Sequence, residues 1–176
     1  MIALIQRVSS ASVSINSKIY SKIDKGILVL LGIIKSDTHD DSEYIIRKLV
    51  NLRLFPSNSS KLDISVKNNK ASILVISNFT LSGITRSGNR PDFSNAMKAE
   101  NAKIIYEKFI VDLKKEHPFL KTGVFGEEME VKLNNWDGKS GFLPEQRIRT
   151  TETYKVSYQC QNCGHEWWQE EEESHG

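Results

Sequence analysis

Ser77-Asn78-Phe79-Thr80 puts two hydroxyls and a carboxamide within four residues, directly after the apolar run Ile73-Leu74-Val75-Ile76. With the backbone N–H groups of residues 78–80, such a cluster can orient a carbonyl and donate hydrogen bonds to an oxyanion that develops on it. Thr80 has no base in view that would make its hydroxyl a nucleophile. The four histidines, His39, His117, His165 and His175, fall at predicted helix ends or in the C-terminal tail, where a solvated surface is the expected role. A Ser-His-acid triad therefore finds no support. From spacing alone, Thr80 is equally a residue that ends a strand, and Ser77 one that satisfies a neighbouring backbone group.

Further groups have a chemical and a plain reading. Arg86, Arg90 and Phe93 lie in a segment rich in Gly, Ser, Asn, Arg and Pro. They suit phosphate contact and base stacking, the two ways in which single-stranded nucleic-acid ends are gripped; the plain reading is a basic loop. Arg7 interrupts an apolar first strand, for which a surface salt bridge is the ordinary explanation. Cys160-Gln161-Asn162-Cys163-Gly164-His165 has the form of one knuckle of a zinc ribbon. Zinc takes about four ligands. Cys160 and Cys163, with His165 or His175, close a tetrahedral site only if two subunits share it, and otherwise the knuckle is a remnant.

The formal charge of +2 is unevenly spread, because residues 166–176 hold five glutamates and no Lys or Arg. Without them the chain has 24 basic against 17 acidic residues, about +7, which permits a phosphate-bearing partner without requiring one. The acidic end reads as solvated chain. Both cysteines sit in the tail, so the body has no disulfide framework, as suits a reducing compartment. The N-terminal residues lack the pattern of a secretory signal, and no run nears the roughly 18 apolar residues of a membrane span. A soluble, cytoplasmic protein with no membrane partner is expected.

The elements that must position these groups follow from periodicity. Alternation over Met1–Val8, Ala11–Ile15 and Ile19–Ile23 predicts short strands, with Asn16-Ser17 as a hairpin turn. Gly26–Gly32 is a continuous apolar run and predicts a strand buried on both faces. Asp37 or Thr38 can cap a helix over about 39–53 with its stripe at Ile45, Ile46, Leu49, Val50 and Leu52. Residues 72–80 predict a central strand that delivers side chains to an edge or cleft. Ala102, Ile105, Tyr106, Phe109, Ile110 and Leu113 predict an amphipathic helix over about 98–116, and Met129, Val131 and Leu133 a last strand. The order argues an α+β domain with a mostly antiparallel or mixed sheet and two main helices. The chain divides into a domain over 1–133, a segment over 134–150 and a tail over 151–176.

Six local motifs in order make this chain resemble the D-aminoacyl-tRNA deacylase family. They are Ile5-Gln6-Arg7-Val8 with Ala11-Ser12-Val13, Gly26 through Gly32, Asn51-Leu52-Arg53-Leu54-Phe55, Ser77-Asn78-Phe79-Thr80-Leu81, Gly88-Asn89-Arg90-Pro91-Asp92-Phe93, and Gly123-Val124-Phe125-Gly126 with Met129. The resemblance implies a barrel-like fold and a homodimer with active sites at the subunit interface. It also implies hydrolysis of the ester joining a D-amino acid to the 3′-terminal adenosine of tRNA, with mischarged glycyl-tRNA as a further substrate and no metal or other cofactor. It assigns Thr80, Ser77 and Asn78 to catalysis, and Phe79, Arg7, Phe93, Met129 and Gly138 to substrate binding. Arg86 and Arg90 fall to tRNA phosphates, and Phe93 to stacking on the terminal adenine.

Two departures stand out. The family's Ser-Gln-x-Thr is here Ser77-Asn78-Phe79-Thr80, which shortens the amide by one methylene, about 1.5 Å. The family's Asn-x-Gly-Pro-x-Thr is replaced after Leu133 by Asn134-Asn135-Trp136-Asp137-Gly138-Lys139-Ser140-Gly141, and no Gly-Pro dipeptide occurs anywhere. Gly-Pro rejects L-amino acids by rigidity, which an Asp137-Gly138-Lys139 turn does not supply. Weakened chiral discrimination is one expectation. A non-catalytic paralogue serving as an RNA-binding or interaction module is the alternative.

Overall fold

The computed structural model describes residues 1–60, 62–86, 89–135 and 152–156, Asn135 and the last five through their backbone only. Its longest strand, β1 (Ile2–Ile15), joins what the alternation divides in two. Ser9 and Ser10 break the apolar pattern without breaking the strand, because the register against the last long strand shifts between Val8 and Ser10 and absorbs them. Asn16 and Ser17 take positive φ values of 50° and 62°, the geometry of a tight primed turn, and return the chain as β2 (Lys18–Ile23). β3 (Gly26–Gly32) continues in the same direction, so β2 and β3 together run antiparallel to the whole of β1.

β3 is buried along both faces, as its sequence demands. It pairs in parallel with β6 (Ser72–Ser77), which pairs in parallel with the short β7 (Leu120–Thr122). A Cβ on Gly26 would fall 2.0 Å from the carbonyl oxygen of Ser72, so only glycine lets β3 start this close to β6. β8 (Met129–Asn135) adds antiparallel to the other edge of β1, and β9 (Glu152–Val156) adds antiparallel to β8. The seven-stranded sheet is therefore mixed and nearly barrel-shaped. β9 lies beyond residue 150, where the tail was expected to begin, so at least that stretch has regular structure.

Two helices cover one face. α1 (His39–Asn51) starts at Thr38, whose side chain forms a reciprocal capping box with Asp41. Asp37, the other candidate cap, instead pairs with the Met1 amino group and accepts from the N–H of Ile34. The helix ends two residues before the expected boundary. Arg53–Phe55 form β4, which pairs with β5 (Ile64–Ser65) in a small separate sheet that the Ser/Asn-rich sequence does not announce. α2 (Ala99–Glu116) buries Ala102, Tyr106, Phe109 and Leu113, the stripe that spacing picks out. These pack with Ile27, Val29, Leu31, Ile73 and Val75 between helices and sheet. Inside the curl of the sheet lies a second cluster of Val8, Val13, Leu28, Leu74, Ile76, Met129 and Val131. No described helix is long and apolar enough to cross a membrane.

His117 departs from the expected surface role. It follows α2 at 2% exposure, with Nε2 2.6 Å from the carbonyl oxygen of Ala71 and its ring edge-on to Phe119. His117, held ahead of Pro118 in extended backbone at φ −146° and ψ 100°, ends the helix, and its imidazole serves the buried carbonyl just ahead of β6.

Candidate active site at the end of strand β6

β3, β6 and β7 run in parallel, so their C-terminal ends open on one side, the place where parallel sheets present loops to ligands. β6 reaches that side at Ser77. The N–H of Asn78 donates to the carbonyl of Leu31 at 2.8 Å, which carries the ladder one residue further. The chain then folds into a single 3₁₀ turn over Phe79–Ser82. The sequence dictates this locally. Asn78 accepts the otherwise orphaned N–H of Thr80 on its side-chain oxygen at 3.0 Å, an Asx turn, and the N–H of Gly83 closes the turn on the carbonyl of Thr80 at 3.0 Å. Gly32 lets the turn pack against β3, since a Cβ there would lie 3.0 Å from both the Asn78 carbonyl oxygen and the Leu81 side chain.

Polar groups are treated unevenly here. Among the described residues, the buried side-chain polar atoms with no intramolecular partner are Ser77 Oγ, Asn78 Nδ2 and Ser82 Oγ, all within six consecutive residues. Each costs about 1–3 kcal/mol if left unsatisfied. A fold that satisfies its buried groups elsewhere and concentrates the exceptions in one turn has kept donors and acceptors there for something other than its own cohesion.

Thr80 is half-buried and donates its hydroxyl proton to Asn78 Oδ1 at 2.6 Å. No described histidine comes near. His39 lies on the exposed start of α1 beside Glu43 and Lys108, and His117 lies at the opposite end of β6, about 20 Å away at the rise of a strand. Of the backbone N–H groups of residues 78–80 expected to meet an oxyanion, that of Asn78 is spent on Leu31 and that of Thr80 on the Asn78 side chain, because the ladder and the Asx turn claim them. The uncommitted groups are the side-chain atoms Ser77 Oγ, Asn78 Nδ2 and Ser82 Oγ, and the turn holds no base.

Phe79 is half-buried, and its ring meets that of Phe93 in a T-shaped contact at 5.2 Å. Phe93 also covers Gly83, where a Cβ would lie 2.9 Å from the ring. The loop between them is closed at its neck by paired backbone bonds between Ile84 and Asp92 at 2.8 and 2.9 Å, with Arg86 and Arg90 exposed beyond that neck. Asp92 caps the next turn through Ser94, and those bonds hold its carboxyl below the usual range. Ser77, Asn78, Phe79, Thr80 and Phe93 thus come together, with the two arginines on an adjoining arm.

Arg7 and Met129 lie apart. Arg7 shares a rung with Ile27 and Ile73, whereas Ser77 shares one with Leu31 and Ala3, four residues along, about 13 Å. Its Nη1 donates to the carbonyl of Leu54 and ties β1 to β4, and burial lowers its pKa from the ordinary arginine value. Met129 is in the core at 1% exposure, its sulfur against Gly123 next to Ile76. Gly138, Cys160 and Cys163 lie outside the described residues. Among those described, no three His, Cys, Asp or Glu side chains form a group that could hold a metal ion.

The family model of D-Tyr-tRNA(Tyr) deacylase matches residues 4–141. The chain belongs to that family. Its relatives include the D-aminoacyl-tRNA deacylase of Thermosipho melanesiensis, 46% identical over 136 residues that span 77% of this chain and 91% of the relative. That of Finegoldia magna is 47% identical over 144 residues, 82% of this chain and 97% of the relative. Among solved structures, one titled c-Myc DNA Unwinding Element Binding Protein superposes with a TM-score of 0.74 at 40% identity, over 77% of this chain and 93% of that one. A probable eukaryotic D-amino acid tRNA deacylase shares the fold at a TM-score of 0.66 and 11% identity, over 76% of this chain and 92% of that one. The family match takes in residues 134–141, and the sequence has no Gly-Pro dipeptide there.

Two residues that shape the turn escape sequence reasoning. Gly32 reads as the bounding glycine of a strand, and Ser82 reads as one more loop serine. Only the burial of the turn gives either its meaning.

Proposed function

We propose that this chain hydrolyses the ester bond of D-aminoacyl-tRNA, releasing the D-amino acid and free tRNA, with mischarged glycyl-tRNA as a second substrate. The observation that carries the reading is the turn Ser77-Asn78-Phe79-Thr80, a cluster of buried donors and acceptors at the end of a parallel strand, within a family member 46% identical to a named D-aminoacyl-tRNA deacylase. An aminoacyl ester is already activated. Orientation of its carbonyl and donors for the oxyanion lower the barrier without a strong nucleophile or a cofactor. The turn orients the reacting carbonyl, Phe79 and Phe93 wall the pocket, and Arg86 and Arg90 meet the phosphates near the 3′ end. The chain works in the cytoplasm, with its substrate.

The reading includes a homodimer. Ile2 is 37% and Leu4 54% exposed on β1, Leu4 is paired with half-buried Leu30, and Ile2 shares its rung with Gly32 beside Asn78. An exposed apolar row leading to the site is suited to burial by a second copy. Sedimentation of wild type and Leu4→Lys tests this, with a dimer expected for the first and a monomer for the second.

Deacylation of D-tyrosyl-, L-tyrosyl- and glycyl-tRNA by the purified chain tests the function. Release of D-tyrosine at catalytic enzyme concentration is expected. Retained tRNA binding without turnover on any of the three would overturn the reading in favour of a binding module. The Cys160 and Cys163 knuckle is a separate matter that metal analysis of the same preparation decides.

A further inference from the structure

The hydroxyl proton of Thr80 is already committed. Thr80 Oγ1 lies 2.6 Å from Asn78 Oδ1, and the Thr80 backbone N–H reaches the same atom at 3.0 Å. A backbone N–H can only donate, so the atom it meets is the amide oxygen, and chemistry fixes the orientation of the carboxamide. Both lone pairs of that oxygen are then occupied. An amide oxygen does not take up a proton near neutral pH, so the Thr80 hydroxyl stays protonated and turned inward. Toward the cleft it offers lone pairs only. Asn78 itself is 1% exposed while Thr80 is half-buried, so a substrate meets Thr80 and not Asn78.

We infer that Asn78 is a positioning residue that acts through Thr80, fixing the threonine hydroxyl as a pure acceptor for an N–H or O–H donor of the aminoacylated adenosine. The inference rests on the deacylase reading and deepens it. Two donors of the substrate share this chemistry, the α-ammonium of the amino acid and the 2′-hydroxyl of the terminal ribose. Thr80 is then a binding group and not the attacking nucleophile. The departure from the family's glutamine gains a physical meaning. Asparagine closes an i to i+2 turn on its own backbone, which the extra methylene of glutamine disfavours. The cost shows in the structure: Asn78 Nδ2 is buried without an intramolecular partner, so the side chain sits where its oxygen is used and its donors are not.

Binding of a non-hydrolysable, amide-linked D-tyrosyl analogue of the tRNA 3′ end to the full chain tests this, alongside kcat and KM for D-tyrosyl-tRNA. Asn78→Leu keeps the volume and removes the acceptor, and is expected to weaken binding and raise KM about tenfold, with a smaller change in kcat. Thr80→Val should do the same, and the double variant should be no worse than either, because the pair acts as one unit. Thr80→Ser keeps the acceptor and should bind within about threefold of wild type. Hydrogen exchange at the Thr80 amide should accelerate in Asn78→Leu. Analogues with the α-amino group replaced by hydrogen, or with a 2′-deoxyribose, identify the donor, since Thr80→Val loses nothing further against the analogue that lacks it.

Additive losses in the double variant, or wild-type binding by Asn78→Leu, would overturn the inference. So would loss of kcat by a factor of a thousand in Thr80→Val with binding intact, the signature of a nucleophile. If Asn78→Leu does not fold, the contrast of Thr80→Ser with Thr80→Val decides. Wild type that binds the analogue but hydrolyses no ester sinks the deacylase reading and leaves the clamp standing.

Discussion

Phe93 returns from the arginine-bearing loop to set its ring edge-on against Phe79 at 5.2 Å, which ties the loop to the turn that holds Thr80. Edge-to-face pairs are worth about 0.5–1.5 kcal/mol beyond the area they bury. Phe93→Leu removes that coupling while keeping bulk. Its expected effect is a severalfold rise in KM for aminoacyl-tRNA with little change in kcat, because the arm with Arg86 and Arg90 is no longer held beside the site. Steady-state kinetics on D-tyrosyl-tRNA check it; a fall in kcat alone would place Phe93 at the chemistry instead.

Ser77 and Ser82 set stability against function. Each hydroxyl is buried without an intramolecular partner. Removing a buried, unpartnered hydroxyl, as Ser→Ala does, relieves about 1 kcal/mol, or about 2–4 °C in Tm for a chain of this size. Ser77→Ala and Ser82→Ala are both expected to melt higher. Ser77→Ala should also lose at least tenfold in kcat/KM, the exchange of activity for stability expected where polar groups are kept for a substrate. Thermal unfolding and kinetics of the same two preparations test both halves, and a lower Tm in both would show that the hydroxyls have partners in solution.

His117 gives the opposite pattern. Its Nε2 meets the carbonyl of Ala71 at 2.6 Å, at the end of β6 remote from Thr80. His117→Leu leaves that buried carbonyl without its donor and should cost about 1–3 kcal/mol in urea unfolding, with kcat unchanged. The site holds no described histidine, so kcat should also lack a protein histidine inflection between pH 6 and 7. A His117 variant with lowered kcat at full stability would refute this.

The contrast between these residues shows what sequence makes legible. Helix α2 and strand β3 follow from their stripes because burial on a face or on both leaves a period in the chain. The edge Ser77-Asn78-Phe79-Thr80 follows because hydroxyls and an amide after a β-branched run are chemically conspicuous. His117 does not follow, since one buried imidazole just past a helix end has no periodic signal. Nor do β4 and β5, whose pairing of Arg53 with Ser65 is non-local and too short to alternate. The fate of the Asn78 amide is hidden for another reason: whether a shortened side chain withdraws or folds back depends on where the Thr80 N–H points, which only the 3₁₀ turn decides.

The missing Gly-Pro bears on chiral discrimination. Main-chain carbonyls fixed by a proline can crowd an L side chain at the α-carbon, and rigidity makes the rejection count, since a segment that yields loses the energy difference between enantiomers. This chain has Gly138-Lys139 in that stretch and no Gly-Pro elsewhere. D-tyrosyl- and L-tyrosyl-tRNA should therefore be hydrolysed at rates within about tenfold of each other, a difference of about 1.4 kcal/mol between the two transition states. Lys139→Pro should widen that ratio, chiefly by slowing the L substrate. Parallel single-turnover assays on both enantiomers measure it directly. Strong D-selectivity in the wild type would mean that some other group of this protein checks chirality, and the departure at residues 138–139 would then be without functional weight.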